Sequence, residues 1–131
     1  MTNSNSYSDG HILVVDDDAA ILEAIQVLLE LEGYSVRTAT DAQTALQAVQ
    51  KHQPQLVVLD VLLSGDDGRD IAKQLKSAPP TSAIPIVMMS AHPNVRQSVI
   101  DAGADDFMSK PFDMDVLLGF AAQYTHNSNN N

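Results

Sequence analysis

The sequence contains no cysteine and no tryptophan. Without cysteine, disulfide staples and thiolate metal sites are excluded. Basic residues are scarce: seven Lys and Arg stand against 17 Asp and Glu, a formal net charge of −10. A surface of that sign repels phosphate, which argues against a general nucleic-acid binder and against an anionic-membrane binder. Long apolar runs are missing too. Leu56 to Leu59 is an unbroken stretch of only four residues, far short of the roughly 20 that cross a bilayer. The first ten residues, MTNSNSYSDG, carry no basic side chain and no apolar stretch. No secretory signal is visible there, and the expected location is the cytoplasm.

What remains is enough for one domain. The chain has 131 residues, 44% of them hydrophobic, which suffices for a core and fits the usual domain size. Residues 1–10 and 125–131 are polar and rich in Ser and Asn; both are expected to be disordered tails around a domain over 11–124.

Between the tails, strand-like runs alternate with helix-like stretches. His11 to Asp16 is a short apolar run ending in acid. Ala19 to Glu32 places Ile21, Leu22, Ile25, Leu28 and Leu29 on one helical face, and Gly33 stops it. Tyr34 to Ala39 alternates in the manner of an edge strand. Asp41 is positioned to cap a helix carrying Leu46 and Val49, which ends before Pro54. Leu56 to Leu59 is a third strand closed by Asp60. A helix over Gly68 to Ser77 pairs Ile71 with Leu75 and cannot continue through Pro79-Pro80. Ile84 to Met89, with Pro85 at its start, reads as a strand. Asn94 to Ala102 reads as a helix packing Val95 and Val99, ended by Gly103. Asp106 to Ser109 is a short strand. Asp113 then caps a last helix, with Phe112 stapled onto Leu117. Strict alternation of this kind predicts an α/β fold, a doubly wound five-stranded parallel sheet flanked by five helices. The strands around Val14, Val58 and Val87 belong at its centre, where both faces are covered.

In such sheets ligands bind outside the carboxyl ends of the strands. There the sequence places Asp16-Asp17-Asp18, Asp60, Ser90 and Lys110. Three carboxylates at one rim repel each other. A pair about 4 Å apart costs roughly 4 kcal/mol at an effective dielectric near 20. Lys110 compensates in part. A hard divalent cation such as Mg2+ supplies the rest, since carboxylate oxygens suit it. A carboxylate fixed at the end of an apolar strand can act as a nucleophile toward phosphorus. Phosphoryl transfer needs mainly positioning and charge neutralisation. Gly65 and Gly68 punctuate the loop after Asp60 and permit close backbone approach.

The stretches VVDDD (Val14 to Asp18), LVVLDVLLSGDDG (Leu56 to Gly68), PIVMMSA (Pro85 to Ala91) and GADDFMSKPF (Gly103 to Phe112) carry a resemblance. The chain resembles a response-regulator receiver domain of two-component signalling, over about Gly10 to Tyr124, and within that family a single-domain, chemotaxis-type receiver. The resemblance implies a flavodoxin-like sheet in the order 2-1-3-4-5, an order for which a receiver is a standard example. It implies Asp60 as phosphoacceptor, in a module that is not an enzyme in the ordinary sense. Asp16, Asp17 and Asp60, with the backbone carbonyl of Leu62, are then the ligands of Mg2+ or Mn2+. Lys110 contacts the phosphoryl group, and the Lys110–Pro111 bond is usually cis, which fixes the direction of Lys110. Ser90 and Phe107 form a switch pair, in which the Phe107 ring turns inward once Ser90 moves toward a phosphoryl group. The implied partners are a sensor histidine kinase or a histidine phosphotransfer protein, and a downstream effector protein. Ser64 stands where the family usually has Pro. Leu62 and His92 occupy positions at which members vary and which influence dephosphorylation. Asp18 reads as a helix cap.

Three rivals stay open on sequence alone. One is a pseudo-receiver that never cycles phosphate. Another is a small phosphatase with an Asp nucleophile, since Asp16-x-Asp18 follows a strand. The third is a flavin binder of the same topology, although three Asp residues would repel a flavin phosphate. The four site groups also leave most of the negative balance unexplained. The rest is assigned to the surface, including Asp105, Asp106, Asp113 and Asp115 around Lys110, and points to a partner with a basic or apolar docking face.

Overall fold

The structure, a computed structural model, describes residues 10–129. Parts of the two expected tails, residues 1–9 and 130–131, lie outside the described residues. Its elements alternate along the chain: β1 (His11–Val15), α1 (Ala19–Leu31), β2 (Ser35–Ala39), α2 (Ala42–Lys51), β3 (Leu56–Asp60), α3 (Gly68–Ser77), β4 (Ile86–Ser90), α4 (Arg96–Asp101), β5 (Asp106–Ser109) and α5 (Met114–Asn129). Every neighbouring pair in the five-stranded sheet is parallel, in the order β2-β1-β3-β4-β5. This is the expected flavodoxin-like receiver arrangement. All five strands therefore end on the same rim.

Side chains of a strand alternate between faces, and here both faces are dry. Leu13, Val15, Val57, Leu59, Ile86, Met88 and Phe107 point to one side, where they meet Ala45 and Val49 of α2, Ile71 and Leu75 of α3, and Val99 of α4. Ile12, Val14, Leu56, Val58, Val87, Met89 and Met108 point to the other, against Leu22, Ile25 and Leu29 of α1 and Leu117 and Ala121 of α5. Each fully buried Leu or Ile stabilises the fold by about 2 kcal/mol relative to exposure. β2 lies at the edge, and only Ala39 of its residues is buried.

The helix signals behave as the sequence suggests. Asp18 accepts from the Ala20 and Ile21 amides at 2.9 and 3.3 Å, and Asp41 accepts from the Thr44 amide at 2.7 Å. Gly33 takes a φ of 96°, the left-handed value that ends α1. α5 begins after Asp113, whose carbonyl accepts from the Val116 and Leu117 amides. Phe112 and Leu117 share one apolar cluster.

Three boundaries differ from expectation. β4 starts at Ile86 rather than Ile84, because the Ile84 amide turns back to the Thr81 carbonyl at 3.1 Å and Pro85 has no amide to offer. The helix expected from Asn94 opens as a single 3-10 turn over Pro93–Val95, and only Arg96–Asp101 is α-helical. α5 continues past Tyr124 to Asn129. Thr125 is buried there, and its hydroxyl donates to the Ala121 carbonyl at 2.6 Å. That back-bond lets a polar side chain travel inside a helix.

Candidate functional site

The rim gathers the residues expected there. Asp16 directly follows β1, Asp60 and Ser90 end β3 and β4, and Lys110 directly follows β5. Asp16 is fully buried, and Asp60 and Ser90 nearly so. The Lys110 ammonium donates to Asp16 Oδ2 at 2.8 Å and to Asp60 Oδ2 at 3.0 Å. One cation is thus shared by two carboxylates, and the three groups come from the last, first and middle thirds of the chain. The second Asp16 oxygen accepts from the Asp18 amide at 2.9 Å. Asp17 is exposed, and its Oδ2 accepts from both the amide and the hydroxyl of Ser64, at 2.8 and 2.6 Å. The peptide bond between Lys110 and Pro111 is cis.

Burial pushes the Asp60 carboxyl above its ordinary value, the hydrogen bond from Lys110 works against that, and the Asp16 charge adds to it. Burial by itself would lower Lys110. The hydrogen bonds and charges of Asp16 and Asp60 outweigh burial, so the ammonium is held above its usual range. The Ser64 hydroxyl, ahead of any other influence, holds Asp17 below the usual carboxylate range.

A divalent cation fits this donor set. Carboxylate oxygens of Asp16, Asp17 and Asp60 lie within 4.8 Å of one another. All three donors are hard oxygens, and a single ammonium does not balance them. Leu62 lines the same shallow depression as Asp17, together with Ser64 and Gly65.

Close backbone approach is real at one glycine. A Cβ on Gly68 would collide with the Asp60 carbonyl, and the Gly68 amide donates to the Val61 carbonyl at 2.6 Å. Only a residue without a side chain lets α3 start against the end of β3. Gly65 takes a φ of 81° at the tip of the intervening loop.

Ser90 and Phe107 lie on the neighbouring strands β4 and β5, offset by two residues, since Met88 pairs with Phe107 and Ser90 with Ser109. The Ser90 hydroxyl oxygen accepts from the His92 amide at 3.0 Å. The Phe107 ring is already buried, with the Arg96 guanidinium 5.0 Å from its centroid.

Sequence reasoning missed several of these contacts. The Ser64 bonds to Asp17 were hidden behind a substitution that looked neutral. Arg69 donates to both Asp67 oxygens and, at 2.9 Å, to the Ser98 hydroxyl, tying the start of α3 to α4. Nothing local announces the Arg96 contact. Two of the acids assigned to the surface also accept hydrogen bonds from within the chain. Asp105 accepts from Lys76 at 2.9 Å and from the Ile86 amide at 2.8 Å, and Asp106 accepts from the Tyr124 hydroxyl at 2.7 Å.

Comparison with known proteins agrees with the geometry. The family model described as "Response regulator receiver domain" matches residues 12–121. The response regulator MprA of Mycolicibacterium vanbaalenii is 41% identical over 109 residues, which are 82% of this chain and 46% of that protein. The chain thus spans just under half the length of the curated relatives it matches. The receiver domain of NtrX from Brucella abortus is 39% identical with a TM-score of 0.80, covering 88% of this chain and 98% of the other. The chemotaxis protein CheY4 of Vibrio cholerae is 27% identical with a TM-score of 0.81, over 88% of this chain and 98% of the other. Among the described residues, no helix is long and apolar enough to cross a membrane. Fold, rim and relatives lead to one conclusion: the chain belongs to the response regulator receiver domain family, whose members are signalling modules of two-component systems rather than classical enzymes.

Proposed function

We propose that Asp60 accepts a phosphoryl group from a phosphohistidine, carried by a sensor histidine kinase or a histidine phosphotransfer protein, and that the modified chain docks on a downstream effector. The observation that carries this is the buried Asp60 carboxylate, hydrogen-bonded to Lys110 and clustered with the oxygens of Asp16 and Asp17. In the step itself an Asp60 oxygen attacks phosphorus. The P–N bond to the donor imidazole breaks, the nitrogen keeps the electron pair, and a P–O bond to the carboxylate forms.

Asp16, Asp17, Asp60 and the Leu62 carbonyl are the ligands in this reading, for Mg2+ or its substitute Mn2+. When bound, the ion neutralises charge between the carboxylates and the incoming phosphoryl oxygens. Lys110, already in the pocket, is within reach of a further phosphoryl oxygen. Ser90 accepts from His92 and so retains its own O–H to donate. That donation would draw Ser90 toward Asp60 and repack Phe107 on the neighbouring strand, a local charge event acting on a packed element. A cytoplasmic setting belongs to the same reading. The relatives span MprA, NtrX and CheY4, so a chemotaxis role is not favoured over other outputs.

Incubation with acetyl phosphate or phosphoramidate and Mg2+ tests the reading. Intact mass should rise by one phosphoryl group, and EDTA or Asp60→Asn should prevent it. No adduct, together with no response to beryllofluoride, overturns it.

A further inference from the structure

Ser64 sits at the tip of a short hairpin, between Leu62–Leu63 and Asp66–Asp67, that follows β3. It reaches across 47 positions of sequence to Asp17, with two donors on one oxygen: its amide at 2.8 Å and its hydroxyl at 2.6 Å from Asp17 Oδ2. A carboxylate oxygen has two lone-pair sites in its plane, so these bonds occupy that oxygen. Asp17 Oδ1 is the oxygen left to a cation. Asp17 stands in the cluster of three carboxylates whose oxygens lie within 4.8 Å of one another. Unlike Asp16 and Asp60, it has no contact with Lys110 among the described hydrogen bonds and ion pairs. Ser64 takes the place of that missing partner.

The number of oxygens a carboxylate offers matters for the cation it selects. Mg2+ is small, keeps near-octahedral geometry, and is satisfied by single oxygens and water. Ca2+ takes six to eight oxygens and readily uses both oxygens of one carboxylate. We propose that Ser64 is a positioning residue that holds Asp17 to one-oxygen ligation and thereby favours Mg2+ over Ca2+ at this site. The proposal rests on the metal site described above and assigns to it a selectivity device outside the carboxylates.

Calorimetric titration of the full chain with Mg2+ and, separately, with Ca2+ tests it. Ser64→Ala removes the hydroxyl and keeps the amide. Ser64→Pro removes both donors, and Ser64→Thr keeps both. Ser64→Ala should weaken Mg2+ binding about tenfold, the low end for loss of a ligand's supporting hydrogen bond. Ca2+ should be affected less, so the ratio of the two affinities falls. Ser64→Pro should lower that ratio further, and Ser64→Thr should restore it. Thermal melting in EDTA checks that each variant folds. If Ser64→Pro does not, the Ala and Thr variants decide the matter. An unchanged ratio in folded Ser64→Ala, including an equal loss for both cations, overturns the proposal. A wild-type chain that binds neither cation overturns instead the metal reading beneath it.

Discussion

The guanidinium of Arg96 covers the face of Phe107, 5.0 Å from the ring centroid, and the ring lies buried beneath it. Arg96 is the first residue of α4 and Phe107 lies in β5. The contact therefore joins two elements that flank Ser90. A guanidinium over an aromatic ring at an exposed site is worth about 0.5–1 kcal/mol. Urea unfolding of Arg96→Ala should show a loss of that size, with Arg96→Lys in between. Equal stability of all three would mean that the ring is held by its apolar neighbours alone.

Asp60 should be a stability liability in the absence of metal. Its folded carboxyl is pushed above the ordinary 3.8, first by burial. A group raised in this way contributes its stability below the unfolded value and loses it as pH rises through the folded one. At neutral pH the charged form is therefore disfavoured in the fold. Asp60→Asn removes that penalty and should melt a few degrees higher than the wild type in EDTA. Mg2+ should stabilise the wild type and leave the variant nearly unmoved. A variant that melts lower in EDTA would contradict the account.

Asp67 behaves in the opposite sense. Its hydrogen bonds from Arg69 hold the carboxyl below the ordinary 3.8. A depressed acid contributes stability above its unfolded value and loses it as pH falls through the folded value. The stability gap between wild type and Arg69→Ala should therefore be widest near neutral pH and shrink below about pH 4. The pair is partly exposed, with side chains 28% and 35% accessible. The ion-pair part of the gap should be no more than about 1 kcal/mol. Denaturant titrations across pH 3 to 7 measure it, with 3 and 7 being roughly the span of carboxylate titration.

Gly68→Ala tests the close approach beside the site. The added methyl group meets the Asp60 carbonyl, which is backbone and cannot rotate away. Overpacking of this kind typically costs about 1–3 kcal/mol. Unfolding should show that loss, and phosphorylation by acetyl phosphate should slow, because the end of β3 moves with Asp60. Unaltered rates and stability would show that α3 shifts freely.

Much of this architecture was legible along the chain. The alternation of Leu13, Val15 and Ile12, Val14 between two buried faces follows from strand periodicity. Asp18 and Asp41 announced their helices, because a cap bonds amides two or three residues away. Asp60, Ser90 and Lys110 could be placed on one rim once the order of elements implied parallel strands. The end of α5 was harder to read. The polar composition after Tyr124 suggested a tail, yet Thr125 satisfies its hydroxyl on the turn before it and stays in the helix.

The sequence by itself thus determined the element order, the two apolar faces and which chemistry reaches the rim, since periodicity and capping act over a few residues. Only the tertiary structure decided how the rim is wired. Lys110 finds Asp16 across 94 positions and Asp60 across 50, and Ser64 finds Asp17 across 47. Asp105 and Asp106, which look like free surface acids in the sequence, close onto Lys76 and Tyr124. Each of these partners is chosen by the path of a loop or by the packing of one element on another. No local pattern encodes that path, because the distance along the chain does not set the distance in space.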